Sequence, residues 1–330
     1  MPFFISQLPD ESVLHLRGRD IAGFLQGQLT CDTRDLETGK SIPGALCSAK
    51  GRVLSDVLLL KRDEDHCVLR LRRSVAAAVT EVLSRYAQFS RISVEEETSQ
   101  DRLYGVYGEL PENLALRAST ASEVQLQSIP KTIDQVASAL DGRASIVRRS
   151  ARSVEVFFHD DTQPFPHLEE DVERRGTQAA WQGELLRAGH FAIDGSALEK
   201  YTPQALNYDL TGLVSFKKGC YTGQEVVARL HYKGKSKKRL GVYTSEHAGA
   251  DVMQSPPRVD VGDSLHQLGA DARTSPRTGK VLRVGEAYDG GLVVAAEVQA
   301  DFLDLPLITS ADVKLTPIRA ETSRLEDARG

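Results

Sequence analysis

The chain has 330 residues, 41% of them apolar and 26% charged, with a formal net charge of −5. Its length exceeds what one core usually organises, so two or three domains are expected; its composition excludes a disordered chain, and its charge excludes a protein that coats nucleic acid with its whole surface. The start, Met1-Pro2-Phe3-Phe4-Ile5, lacks a basic leader, no stretch approaches the ~20 apolar residues of a membrane span, and Cys31, Cys47, Cys67 and Cys220 form no C-x-x-C pair. A cytoplasmic protein with reduced thiols is the expectation, without membrane insertion, zinc site or disulfide framework.

In chain order, Val13 to Arg17 reads as a strand, and Asp20 as the N-cap of a helix with Ile21, Phe24, Leu25 and Leu29 on one face. The Val- and Leu-rich run from Arg52 to Lys61, then Asp63-Glu64-Asp65, then Cys67 to Leu71 has the pattern of a hairpin. Ser74 is placed as the cap of a helix carrying Val75, Val79, Val82, Leu83 and Tyr86, and Ile92 to Glu97 alternates as a strand. A similar series follows, with strands at Leu103 to Tyr107, Ala144 to Arg149 and Val154 to His159, and helices near Ile133 to Leu140 and Leu168 to Arg174. This order predicts an antiparallel α+β sheet rather than a doubly wound one, and neither G-x-G-x-x-G nor a P-loop is present. Trp181 to Ala188 is a further helix. Beyond Leu240, the runs Val259 to Asp263, Gly279 to Gly285 and Gly291 to Ala296 predict a small β-barrel or sandwich.

Two features between these regions point to chemistry. Residues 217–239 carry a local excess of seven positive charges, which calls for an anion: a polyglutamyl tail, an acidic partner or RNA phosphates. Direct RNA binding is the least favoured of these, because the strip offers only Tyr232 for stacking. The second feature is Lys217-Lys218-Gly219-Cys220-Tyr221-Thr222-Gly223-Gln224-Glu225. Gly219 and Gly223, which permit positive φ and close approach of a partner, would force a tight loop that presents Cys220 at a helix start, where the helix terminus and the neighbouring Lys217 and Lys218 would favour the thiolate. A lone cysteine is more often a small buried hydrophobe, and Cys31, Cys47 and Cys67 are left as such.

The run Lys218 to Glu225 resembles the signature of the YgfZ family, folate-binding relatives of the T-protein (aminomethyltransferase) of the glycine cleavage system. Gln26-Gly27-Gln28-Leu29-Thr30, Ala49-Lys50-Gly51-Arg52, Arg72-Arg73-Ser74-Val75, Tyr86 with Phe89-Ser90, and Pro203-Gln204 with Asn207 resemble family segments in the same order. The resemblance implies a three-domain T-protein-like ring of two antiparallel α+β domains, one ferredoxin-like, and a C-terminal β-barrel. Its expected divisions are 1–45 with 178–240 for a discontinuous folate domain carrying the cysteine loop, 46–177 for the ferredoxin-like domain and 241–330 for the barrel.

By the same resemblance the cofactor is tetrahydrofolate or a one-carbon derivative in a central cavity, with Trp181, Gln28, Gln204, Asn207, Tyr221 and Arg229 as its candidate contacts. Cys220, Lys218 and Asp56 are the candidate chemical groups. The implied function is that of a monomeric accessory factor for iron–sulfur clusters in client enzymes, including those that methylthiolate tRNA; a folate-dependent one-carbon transferase and a tRNA-binding protein are the alternatives. Departures are visible. Gly51 to Asp56 holds one carboxylate where the T-protein has a pair, Arg187 stands where it has a folate-contacting Glu, and a second family Trp falls near Val13.

Overall fold

The computed structural model describes residues 2–97, 103–116, 124–159, 175–245, 258–269, 275–287 and 290–319. Two five-stranded sheets, a closed six-stranded barrel and a two-stranded sheet of β8 (Asn113–Leu116) and β9 (Gln125–Ser128) make up its frame, and every paired strand described is antiparallel. The first sheet is ordered β3 (Ser41–Cys47), β4 (Val53–Asp63), β5 (His66–Arg72), β2 (Glu11–Arg17), β6 (Ser93–Glu96). The second runs β1 (Phe3–Gln7), β7 (Leu103–Gly108), β12 (Ser153–Phe158), β11 (Ala144–Ser150), β10 (Val136–Ala139). Since β3 pairs with β4 from Ser41↔Leu60 onward, the first sheet runs across the expected division at residue 45. No described helix is long and apolar enough to cross a membrane.

Strands β4 and β5 are buried on both faces, as their near-continuous apolar sequences require. Their period of two sorts the side chains. Leu59, Leu69 and Leu71 join the core beneath α2 (Arg73–Ser90), while Leu58, Leu60 and Val68 join a second core with Leu103, Tyr107 and Phe157 of the other sheet. Trp181, on α3 (Gln178–Arg187), plugs that second core. Its ring lies against Gly105, where a Cβ would fall 2.4 Å from it.

The barrel is closed in the order β13 (Lys238–Ser245), β16 (Leu292–Gln299), β15 (Gly279–Glu286), β14 (Ser264–Gln267), β17 (Leu307–Thr309), β18 (Lys314–Pro317). It is tied to the segment that follows α3 by Arg283 of β15, which donates to the Ala192 carbonyl at 2.9 Å and pairs with Asp194 at 3.1 Å.

Three local expectations are corrected. Residues 133–140 form no helix: Asp134, Leu140 and Asp141 adopt positive φ, and Val136 to Ala139 pairs with β11 instead. Ser74 does not cap α2, whose N-cap is Arg72 without a side-chain bond; the Ser74 hydroxyl accepts from the Gly195 N–H at 3.1 Å. Val259 to Asp263 is a turn rather than a strand, bent where Gly262 takes φ +104° and the Asp263 carboxylate accepts from the Asp260 N–H. The helix expected at Leu168 to Arg174 lies outside the described residues.

Candidate functional site: a clamped cysteine loop and a charged cavity

The signature residues divide into those that hold the loop and the one that is left free. Lys218 spends all three ammonium protons on backbone carbonyls of the turn after α1 (Ile21–Gln26): Gln26 at 2.7 Å, Leu29 at 2.6 Å and Cys31 at 2.8 Å. Burial pulls this amine down to about 8, so at neutral pH it still carries the protons the three bonds need. The Thr222 N–H adds a bond to the Gly27 carbonyl, and Tyr221 is buried beneath the Lys218 ammonium, 5.1 Å from its ring centroid. Gln224 closes the loop on itself, its Oε1 accepting from the Tyr221 N–H.

Gly223 makes the second clamp possible. It takes φ +84°, and a Cβ there would lie 2.3 Å from the Ser48 carbonyl oxygen, so no other residue allows this approach to the turn ending at Gly51. From that contact α4 (Gln224–Lys233) departs, with Glu225 exposed in its first turn. Gly219 is corrected: it shows no positive φ, and a Cβ there would meet open space. Lys218 is corrected too, as an anchor with no proton to spare for a thiolate. Cys220 does not start the helix but projects from the loop before it.

Cys220 is exposed, whereas Cys31, Cys47 and Cys67 are buried, with thiols that burial pushes up to about 12. The chain therefore has one thiol positioned to meet another molecule. Lys218→Met should cost about 2–4 kcal/mol by orphaning carbonyls that now receive charged hydrogen bonds. Urea unfolding checks this, and a loss below about 1 kcal/mol would show the anchor to be dispensable.

The second part of the site lies between the two sheets. Glu11 on β2, Asp56 on β4, Arg70 and Arg72 on β5, Arg149 on β11 and Glu155 on β12 share strand faces with Val13, Leu58, Val68, Val147 and Phe157, which put them all in the space between sheets. Arg70 is the hub, 2.8 Å from Glu155 and 3.4 Å from Glu11, which is itself held by Arg72 at 2.8 Å. Burial alone would raise the Glu11 carboxyl, but Arg70 and Arg72 together hold it below its ordinary value. For Asp56 burial wins over Arg70 and the Ile193 N–H, and its carboxyl is raised. Burial, with Arg149 beside it, lowers His190 to about 3, so that imidazole is neutral.

Asp56, Arg70, Arg149, His190, Phe191 and Tyr208 line a cavity here, with Leu213 of the segment leading to the cysteine loop in its wall. Its free space is ≈ 30 Å³, room for about one water. Arg149 Nη1 is buried there with no hydrogen-bond partner among the described residues, and Asp56 uses one oxygen on the Ile193 N–H at 2.8 Å.

The candidate folate contacts are not gathered around this cavity. Trp181 is a core residue, its Nε1 without a partner among the described residues. Gln204 donates to the Val227 carbonyl and Asn207 to the Leu240 carbonyl, both bracing the chain between α4 and β13. Gln28 lies in the turn that Lys218 anchors, and Arg229 is exposed on α4. Arg70, Arg149 and His190 were missed by the sequence reading. The signal was there, since Arg70 and Glu155 each interrupt an otherwise apolar strand, a position where a charge demands a partner.

A tRNA-modifying protein YgfZ from Serratia proteamaculans is 31% identical, the alignment covering 98% of this chain and 91% of that protein. The chain belongs to the YgfZ family. Members with the same description from Yersinia pseudotuberculosis and Colwellia psychrerythraea are 30% and 28% identical over 91% and 93% of the chain and 86% and 89% of their own lengths. No protein-family model matches. Among solved structures, the glycine cleavage system aminomethyltransferase T from Bartonella henselae superposes with a TM-score of 0.67 at 16% identity, covering 98% of this chain and 87% of that one. At that identity the likeness establishes the fold, an α+β aminomethyltransferase T-like architecture with its barrel, as the family resemblance implied.

Proposed function

We propose that this YgfZ-family chain is a folate-binding accessory protein that supports synthesis or repair of iron–sulfur clusters in client enzymes, including those that methylthiolate tRNA, through Cys220. The observation that carries the reading is the division of labour in the signature loop. Lys218, Tyr221, Gly223 and Gln224 are consumed in fixing the loop, and the single accessible thiol is what they hold out. A thiol held this way is positioned to attack, exchange with or ligate a group on a partner.

The cavity chemistry fits a reduced pterin in kind. Asp56 would accept from ring N–H groups, and the unpartnered Arg149 Nη1 would donate to a ring carbonyl. The folate would supply or accept a one-carbon unit beside them. The space of ≈ 30 Å³ is far below the ~300–1,000 Å³ of small-molecule pockets, so binding requires the cavity walls to part.

Calorimetric titration of the purified chain with reduced tetrahydrofolate tests this. Saturable binding is expected, with Arg149→Met weaker by about 10-fold, the worth of a buried charged hydrogen bond. Binding unchanged by that substitution would move the folate out of this cavity, and no binding at all would remove it from the function.

A further inference from the structure

The basic strip acquires in the fold what it lacks in the sequence, a set of aromatic partners. Phe216 stacks on His231, with centroids 3.6 Å apart at 16°, and Tyr232 stands edge-on to both, at 4.8 Å from His231 and 6.2 Å from Phe216. Tyr232 is 69% exposed. Around this cluster Lys217, Arg229, Lys233, Lys235 and Lys237 are exposed and form no ion pair among the described residues, while Lys238 and Arg239 are paired with Glu297 and Asp209.

The cluster borders a hollow of ≈ 280 Å³ lined by Gln204, Asp209, His231, Lys235, Ser236 and Arg239. Asp209 and Gln204 fix the Arg239 guanidinium as part of the wall, so Lys235 is its unneutralised cation.

We infer that this face docks single-stranded RNA. An acidic peptide would satisfy the lysines but would leave the aromatic cluster idle. A nucleotide supplies both halves: phosphates for the unpaired cations, and a base that stacks on the exposed ring. Single strands are specified because stacking on a side chain needs a base already out of its helix. The inference is independent of folate binding and of the Cys220 thiol.

The test is fluorescence anisotropy of a labelled single-stranded RNA 12-mer with the full chain, against polyglutamate of equal charge as competitor. Saturable RNA binding is expected, with log affinity falling on log salt at a slope steeper than about −2, up to about −3.5 for five cations. Tyr232→Ala should weaken RNA binding about 5- to 100-fold, the range of one base–aromatic stack, while Tyr232→Phe retains it. Both substitutions are at an exposed side chain, and a circular dichroism spectrum with an unchanged urea midpoint shows that the fold is intact. Absence of saturable binding at low salt overturns the proposal. So does polyglutamate competing on equal terms with Tyr232→Ala without effect, which would make the face a polyanion strip of no particular partner.

Discussion

Replacing Arg70 with methionine is expected to cost about 3–5 kcal/mol, a large share of the stability of a typical domain. Arg70 is buried, and its guanidinium faces Glu11 and Glu155, both also buried, so its removal strands carboxylates that water cannot reach. Arg72 still covers Glu11 at 2.8 Å; among the described residues Glu155 keeps only Arg149, at 3.4 Å. Glu155→Gln in the Arg70→Met background should therefore recover part of the loss, because it removes the stranded charge. Urea midpoints of the wild type and the two variants measure this. A single-variant loss below about 1 kcal/mol, or no recovery in the double variant, would mean that the space between the sheets is wetter than the burial of these groups implies.

The second large effect concerns the thiols. In native protein one equivalent should react promptly with an aromatic disulfide reagent at neutral pH, and the other three only after unfolding. Cys31, Cys47 and Cys67 are each 2% exposed or less, and burial holds them as thiols up to about 12. Cys220→Ala should abolish the fast equivalent and change stability by no more than about 0.5 kcal/mol, as for an exposed position away from packing. Two or more fast equivalents would contradict the burial pattern.

The sequence was most legible where one residue type has one use. Asp20 was read as a cap, and its carboxylate does accept from the Gly23 N–H. The hairpin of β4 and β5 followed from apolar runs around Asp63-Glu64-Asp65, and of the two glycines read as forcing the cysteine loop, Gly223 does make the close approach. Lys218 was assigned to the thiolate because sequence neighbours were taken as spatial partners; the fold carries its ammonium to carbonyls nearly two hundred positions earlier in the chain. The edge strand at 136–139 was misread for the same reason: Val136 and Ala139 suit a helix face until β11 offers hydrogen bonds.

The cavity was hidden because its charged lining comes from strands of two different sheets, and only the packing of those sheets brings Arg149 to Asp56 and Arg70. Alternation along each strand would have put these charges on one face, but not on facing ones. Trp181 was placed beside the ligand by resemblance; in the fold it is buried in the core, with the bare backbone of Gly105 as the socket for its ring.

The most direct test of the proposed role is to quantify methylthiolated tRNA in cells lacking this chain, supplied in turn with the wild type and with Cys220→Ala at equal abundance. Restoration by the wild type and failure of Cys220→Ala is the predicted result. Full restoration by Cys220→Ala would contradict it, because the one thiol that the loop holds out would then not be the working group.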